Sequence, residues 1–134
     1  MLDHISLRVA DYERSKRFYA AALAPLGFTL AMESDSGAGF RRDAIPFFWI
    51  KQGEPGTARL ESPEPVGCGG PAIHVAFASS DRATVDAFHR AALAAGGRDN
   101  GAPRVCPEYH AHYYGGFVLD PDGYNIEAVC HTRE

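Results

Sequence analysis

Asp3-His4-Ile5-Ser6-Leu7-Arg8-Val9 is the stretch that decides the reading of this chain. Ile5, Leu7 and Val9 form one face and His4, Ser6 and Arg8 the other, the period of two of a half-buried strand. Seventy residues later comes Ile73-His74-Val75-Ala76-Phe77-Ala78, with the same alternation. The same offset lays Asp11 on Asp81, Phe18 on Phe88, Ala21, Ala22 and Leu23 on Ala91, Ala92 and Leu93, and Gly27 on Gly97. In both copies an aspartate stands where a helix N-cap belongs, an apolar helical stripe follows, and glycine ends it. An internal repeat of this kind predicts two copies of one strand–helix–strands unit.

Working outward, Phe28–Glu33, a short run at Phe40–Arg42 and Pro46–Ile50 read as the remaining strands of the first copy. Residues 52–71 are punctuated by proline and glycine and read as an arm or linker. In the second copy a helix is expected over Thr84–Ala95 and a turn at Asn100-Gly101. Tyr109–Leu119 and Tyr124–His131 are expected to close the chain as a hairpin around Asp120-Pro121-Asp122-Gly123. The boundaries are module 1 at about 1–53, the arm at about 54–71 and module 2 at about 72–134.

Composition bounds the function. The chain has 134 residues, enough for one domain with a real core. A net charge of −4 with no basic run gives no electrostatic case for nucleic acid. No apolar run approaches the roughly 18–20 residues of a membrane span, and the N-terminus does not read as a signal peptide. Cys68, Cys106 and Cys130 are odd in number and lack zinc-type spacing, so reduced thiols in a cytoplasm are the simplest reading. The Gly67–Gly70 cluster lacks the lysine partner of a phosphate loop.

Glu127 is the exceptional residue of the hairpin. It lies beside Ile126, Ala128 and Val129, and a charge in such a strand needs a partner. His4 and His74, at equivalent positions of the repeat, supply two imidazoles. Two histidines and a carboxylate suit Zn²⁺, Ni²⁺, Mn²⁺ or Fe²⁺. A four-residue turn pairing Asp120 with Gly123 sets Gly116 opposite Glu127 and puts Tyr114, His112 and His110 on its face, as candidates for acid/base work or substrate contact. A one-residue bulge would flip that set. Arg8, on the face of His4, would suit an anionic substrate, and Trp49 offers an aromatic wall.

These motifs together carry a resemblance. Asp3-His4-Ile5-Ser6-Leu7 with Asp11, Arg14-Ser15 and Phe18-Tyr19, then Pro46–Ile50, Ile73–Phe77 and Asp120-Pro121-Asp122-Gly123-x-x-x-Glu127, follow in order nearly the whole chain. The chain resembles the vicinal oxygen chelate superfamily, also called the glyoxalase/bleomycin resistance/dioxygenase superfamily. The resemblance implies an α+β fold of two tandem βαβββ modules forming a partly open barrel around a metal cavity. It implies His4, His74 and Glu127 as three of four ligand positions. The fourth, on the last strand of the first module, falls among Phe47, Phe48, Trp49 and Ile50, none of which can ligate. The implied function is a divalent-metal-dependent lyase or isomerase, glyoxalase-like, acting on a small substrate with vicinal oxygens. Alternatives are an extradiol-type dioxygenase with iron on two histidines and one glutamate, and a metal-free antibiotic-binding protein of the bleomycin-resistance kind. The dioxygenase branch ranks lower because Phe117 stands where its members carry a tyrosine. A homodimer is expected, with sites within one chain or shared between two.

Overall fold

The computed structural model describes residues 2–44, 47–53 and 73–133. The first module runs β1 (Ile5–Val9), α1 (Tyr12–Ala22), a 3-10 turn (Ala24–Leu26), β2 (Thr29–Ser34), β3 (Gly37–Arg41) and β4 (Phe48–Gln52). The second runs β5 (His74–Ala78), α2 (Arg82–Ala94), β6 (Arg98–Val105), β7 (Tyr114–Leu119) and β8 (Asn125–Cys130). Each module forms its own four-stranded sheet, in the orders β1-β4-β3-β2 and β5-β8-β7-β6. In each, the opening strand lies parallel to the last and the other pairs are antiparallel. The repeat seen in the sequence is thus a repeat of topology, and the fold is α+β with two βαβββ modules. The two sheets are not closed into a barrel. The arm placed at 54–71 lies outside the described residues.

Local chemistry explains the elements. The Asp11 carboxylate accepts the Arg14 N–H at 3.0 Å, and Asp81 accepts that of Thr84 at 2.7 Å, capping the two helices as expected. Leu7 and Val9 in β1, and Val75 and Phe77 in β5, are buried, while Ser6, Arg8, His74 and Ala76 are exposed on the other faces. The core continues across the modules as a chain of rings. Tyr19 meets Phe48 at 4.8 Å between centroids, Phe48 meets Phe77 at 5.3 Å, and Phe77 meets Phe28 at 5.2 Å. Burying each such ring contributes about 1.5–3 kcal/mol.

Two expectations of the second module need correction. Asn100-Gly101 is not a turn: it lies inside β6, where the register with β7 shifts between Asp99 and Gly101. A bulge and a turn share the same short polar-plus-glycine signature. The strand expected from Tyr109 begins only at Tyr114. Before it, Cys106 N–H donates to the Tyr113 carbonyl at 2.7 Å and Tyr113 N–H to that of His110 at 3.1 Å, closing residues 106–113 into a loop.

The closing hairpin also has a different register. Asp120 N–H donates to the Tyr124 carbonyl at 3.0 Å, so Leu119 faces Asn125 and Phe117, not Gly116, faces Glu127. The cause is the Asp120 side chain, whose Oδ1 accepts the N–H groups of Asp122 at 2.9 Å and Tyr124 at 2.8 Å. Those bonds draw one more residue into the turn.

The same turn fastens the modules together. Asp120, 1% exposed, accepts the hydroxyl of the fully buried Tyr19. Asp122 accepts the Ala10 N–H at 3.2 Å, and the Tyr124 hydroxyl donates to the Arg8 carbonyl at 2.7 Å. Burial raises the Asp120 carboxyl above the ordinary range even though the Tyr19 hydroxyl and the Tyr124 and Asp122 N–H groups pull it down. Replacing Tyr19 by phenylalanine removes one donor from this buried carboxylate. The expected loss is about 1–3 kcal/mol, read as a lower urea midpoint at unchanged slope.

Candidate metal centre

Glu127 sits midway along β8 on the sheet face that turns away from α2. Its parallel partner is Ala76 and its antiparallel partner Phe117, so His74, Ala76, Gly115 and Phe117 share that face. The glutamate is fully buried, and each carboxylate oxygen has its own partner. His74 Nε2 stands 2.8 Å from Oε2. The Tyr113 hydroxyl donates to Oε1 at 2.6 Å. Burial, and then the neighbouring carboxylate, hold the Tyr113 phenol above its ordinary value, so it is a neutral donor.

Gly115 makes this possible. A Cβ there would stand 2.8 Å from Glu127 Oε1 and 3.1 Å from Tyr113 Cε1. The carboxylate therefore lies across a residue that has no side chain.

His74 and Glu127 are brought together as the sequence suggested. Tyr113 was missed, and it is the register that hid it: with Phe117 opposite Glu127, the odd-numbered residues take the face assigned to the even ones. Tyr114 consequently belongs to the opposite face, where its hydroxyl donates to Asp86 of α2 at 2.8 Å. His112 accepts from Arg133 Nε at 2.9 Å. His110 pairs with His131, Nε2 to Nδ1 at 2.8 Å, and its ring stands edge-on to that of Tyr113, 5.4 Å between centroids.

His4 stands apart from the pair, just ahead of β1 in the first module. It is about half exposed, and its Nδ1 is 2.6 Å from Asp3 Oδ1. No group of three or more histidine, cysteine, aspartate or glutamate side chains among the described residues could hold a metal within one chain. Arg8 and Trp49 also belong to the first module. They line a surface groove of about 320 Å³ with Met32, Glu33, Lys51 and Gln52. Trp49 faces Ser6 across β1–β4 as Glu127 faces Ala76 across β5–β8, so it holds the place that is a carboxylate in the second module. Its six-membered ring lies against Gly39, where a Cβ would be only 2.9 Å away.

His74 and Glu127 supply two donors of the kinds that a divalent ion takes, and no third joins them among the described residues of the chain. Two ligands bound to one ion at about 2.1 Å sit roughly 3 Å apart, close to the 2.8 Å between His74 Nε2 and Glu127 Oε2. A carboxylate on the far nitrogen, as on His4, is the usual device that orients a metal-binding imidazole.

Residues 1–128 match the family model of the Glyoxalase/Bleomycin resistance protein/Dioxygenase superfamily. The chain belongs to that superfamily. Among curated relatives, an uncharacterized protein of Bacillus subtilis, YqjT, is 28% identical over 96% of this chain and 98% of its own. Among solved structures, a glyoxalase/bleomycin resistance protein from Albidiferax ferrireducens is 29% identical, with a TM-score of 0.73 over 96% of this chain and 97% of that one. The fosfomycin resistance protein FosX from Mesorhizobium loti shares the fold at 21% identity, with a TM-score of 0.66 over 98% and 92% of the two chains. No helix of this superfamily member, among the described residues, is long and apolar enough to cross a membrane.

Proposed function

We propose that the chain is a divalent-metal-dependent, glyoxalase-like enzyme of the lyase or isomerase type, acting on a small substrate with vicinal oxygens. The observation that carries this reading is the fully buried Glu127 carboxylate bonded to His74 at 2.8 Å on an otherwise open sheet face. His74 and Tyr113 each bond one oxygen of the carboxylate, and a cation held there would supply the charge partner that a buried carboxylate favours.

The working unit in this reading is a homodimer. One protomer supplies His74 Nε2 and Glu127 Oε2, and the other supplies His4 Nε2, which its own chain leaves apart from them. Isologous pairing of this kind gives two equivalent sites. The ion would be Zn²⁺, Ni²⁺, Mn²⁺ or Fe²⁺, held by His74, Glu127 and the partner protomer's copy of His4, and would supply Lewis-acid polarisation of a substrate oxygen. The chain's own residues then bind and orient. Arg8 and Lys51, which line the first module's groove, attract an anionic part of the substrate, and Trp49 packs on its apolar part. Phe117 and Tyr113 keep water from the Glu127 carboxylate. The free, buried thiols of Cys106 and Cys130 support a reducing, cytoplasmic setting.

Protein purified without added metal should carry a divalent ion by mass spectrometry and lose thermal stability on chelation. Stabilisation by cationic aromatic drugs alone, with no response to any divalent ion, overturns this reading in favour of metal-free sequestration. Ring-opening oxygenation is a second reading, favoured by the Tyr113 hydroxyl beside Glu127. Oxygen uptake with Fe²⁺ and a catechol separates it from isomerisation.

A further inference from the structure

Glu127 divides its two oxygens between different partners, and only Oε2 faces a metal-binding group. A carboxylate with both oxygens free can grip one ion through either or both. Building on the metal-centre reading above, we propose that Tyr113 is a positioning residue that confines Glu127 to one-oxygen coordination and so keeps a coordination position open for the substrate's second oxygen.

The geometry gives Tyr113 little freedom to do otherwise. Its ring is held by Tyr109 at 4.8 Å between centroids, by His131 at 5.2 Å and by His110 at 5.4 Å, the last two edge-on. His110 and His131 are locked to each other by their 2.8 Å contact and stacked at 4.9 Å. The Tyr113 backbone is fixed on both sides, its carbonyl accepting from Cys106 and its N–H donating to His110. The hydroxyl is thereby presented to Oε1 by a built cage, and Gly115 leaves the carboxylate room to turn toward it. A substrate that binds through two neighbouring oxygens needs two adjacent positions, and a two-oxygen glutamate takes one of them. The histidine pair gains a role here that has nothing to do with ligation: it aims a phenol.

Tyr113→Phe keeps the ring in its cage and removes only the O–H donor. With Mn²⁺ as the probe, water proton relaxation counts the exchangeable positions on the bound ion. The variant should lose one such position relative to the wild type, and X-ray absorption should gain one carboxylate oxygen. Mn²⁺ affinity should change by roughly tenfold or more, as for other groups that orient a ligand. An unchanged water count and unchanged absorption spectrum in a variant that melts normally overturn the proposal. Should Tyr113→Phe fail to fold, His110→Ala carries the test: opening one wall of the cage lowers the water count in the same direction, and an unchanged count overturns the idea. Wild-type protein that takes up no Mn²⁺ instead overturns the metal-centre reading itself, so the two failures are distinguishable.

Discussion

Refolded together, His4→Ala and Glu127→Ala subunits should recover about a quarter of wild-type metal capacity, although neither variant alone holds metal tightly. The arithmetic follows from where the donors lie. His4 belongs to the first module, and His74 with Glu127 to the second. In a symmetric dimer each site takes one contribution from each protomer. Half of the randomly assorted dimers are mixed, and each mixed dimer has one intact site and one doubly broken one. Sites built within single chains would give no recovery at all. Mass spectrometry of the mixed dimers, with metal content per dimer, reads the result. Confirmed mixed dimers that carry no metal would sink the shared-site reading, as would a monomeric wild-type protein by light scattering.

Gly115→Ala is expected to be the most damaging single methyl group in the site. Its Cβ would stand 2.8 Å from Glu127 Oε1, 3.1 Å from Tyr113 Cε1 and 3.3 Å from Phe117 Cζ. None of these can yield easily, because the carboxylate is buried and the Tyr113 backbone is bonded on both sides. Overpacking of this sort costs about 1–3 kcal/mol, and pushing the whole Glu127 carboxylate away from His74 should abolish tight metal binding. Gly116→Ala is the matched control. Its Cβ would meet Pro103 Cγ at 3.0 Å and Val85 Cγ1 at 3.3 Å, on the side away from Glu127. It should destabilise the protein comparably and leave metal affinity intact. Equal affinity in both variants would contradict the geometry assigned to Gly115.

The two-module fold was legible because its signals are periodic and doubled. His4 and His74, seventy residues apart, open two sheets with one strand order, and Asp11 and Asp81 cap the helices that follow. Glu127 was legible as a carboxylate in an apolar strand, and it is buried against one of the histidines paired with it in the sequence reading. The hairpin register was not legible. It depends on two bonds from the Asp120 side chain to the backbone, which no alternation pattern encodes, and a slip of one residue exchanged Tyr113 for Tyr114. Gly101 misled for a related reason, since glycine serves a bulge as readily as a turn. The distance of His4 from its presumed companions was invisible as well. Strand patterns fix what happens within a module and say little about how two modules face one another.

Asp120 performs two unrelated tasks with one side chain. Its Oδ1 sets the register that brings Glu127 opposite Phe117, and its Oδ2 receives the Tyr19 hydroxyl from the other module. The two halves, alike in plan, are therefore no longer interchangeable parts. A descendant that shed the first half would lose more than its share of a cavity: it would strip the turn of the buried phenol and loosen the alignment of the remaining carboxylate. The symmetry of this chain is one of plan, and through Asp120 the hairpin of one half depends on a phenol of the other.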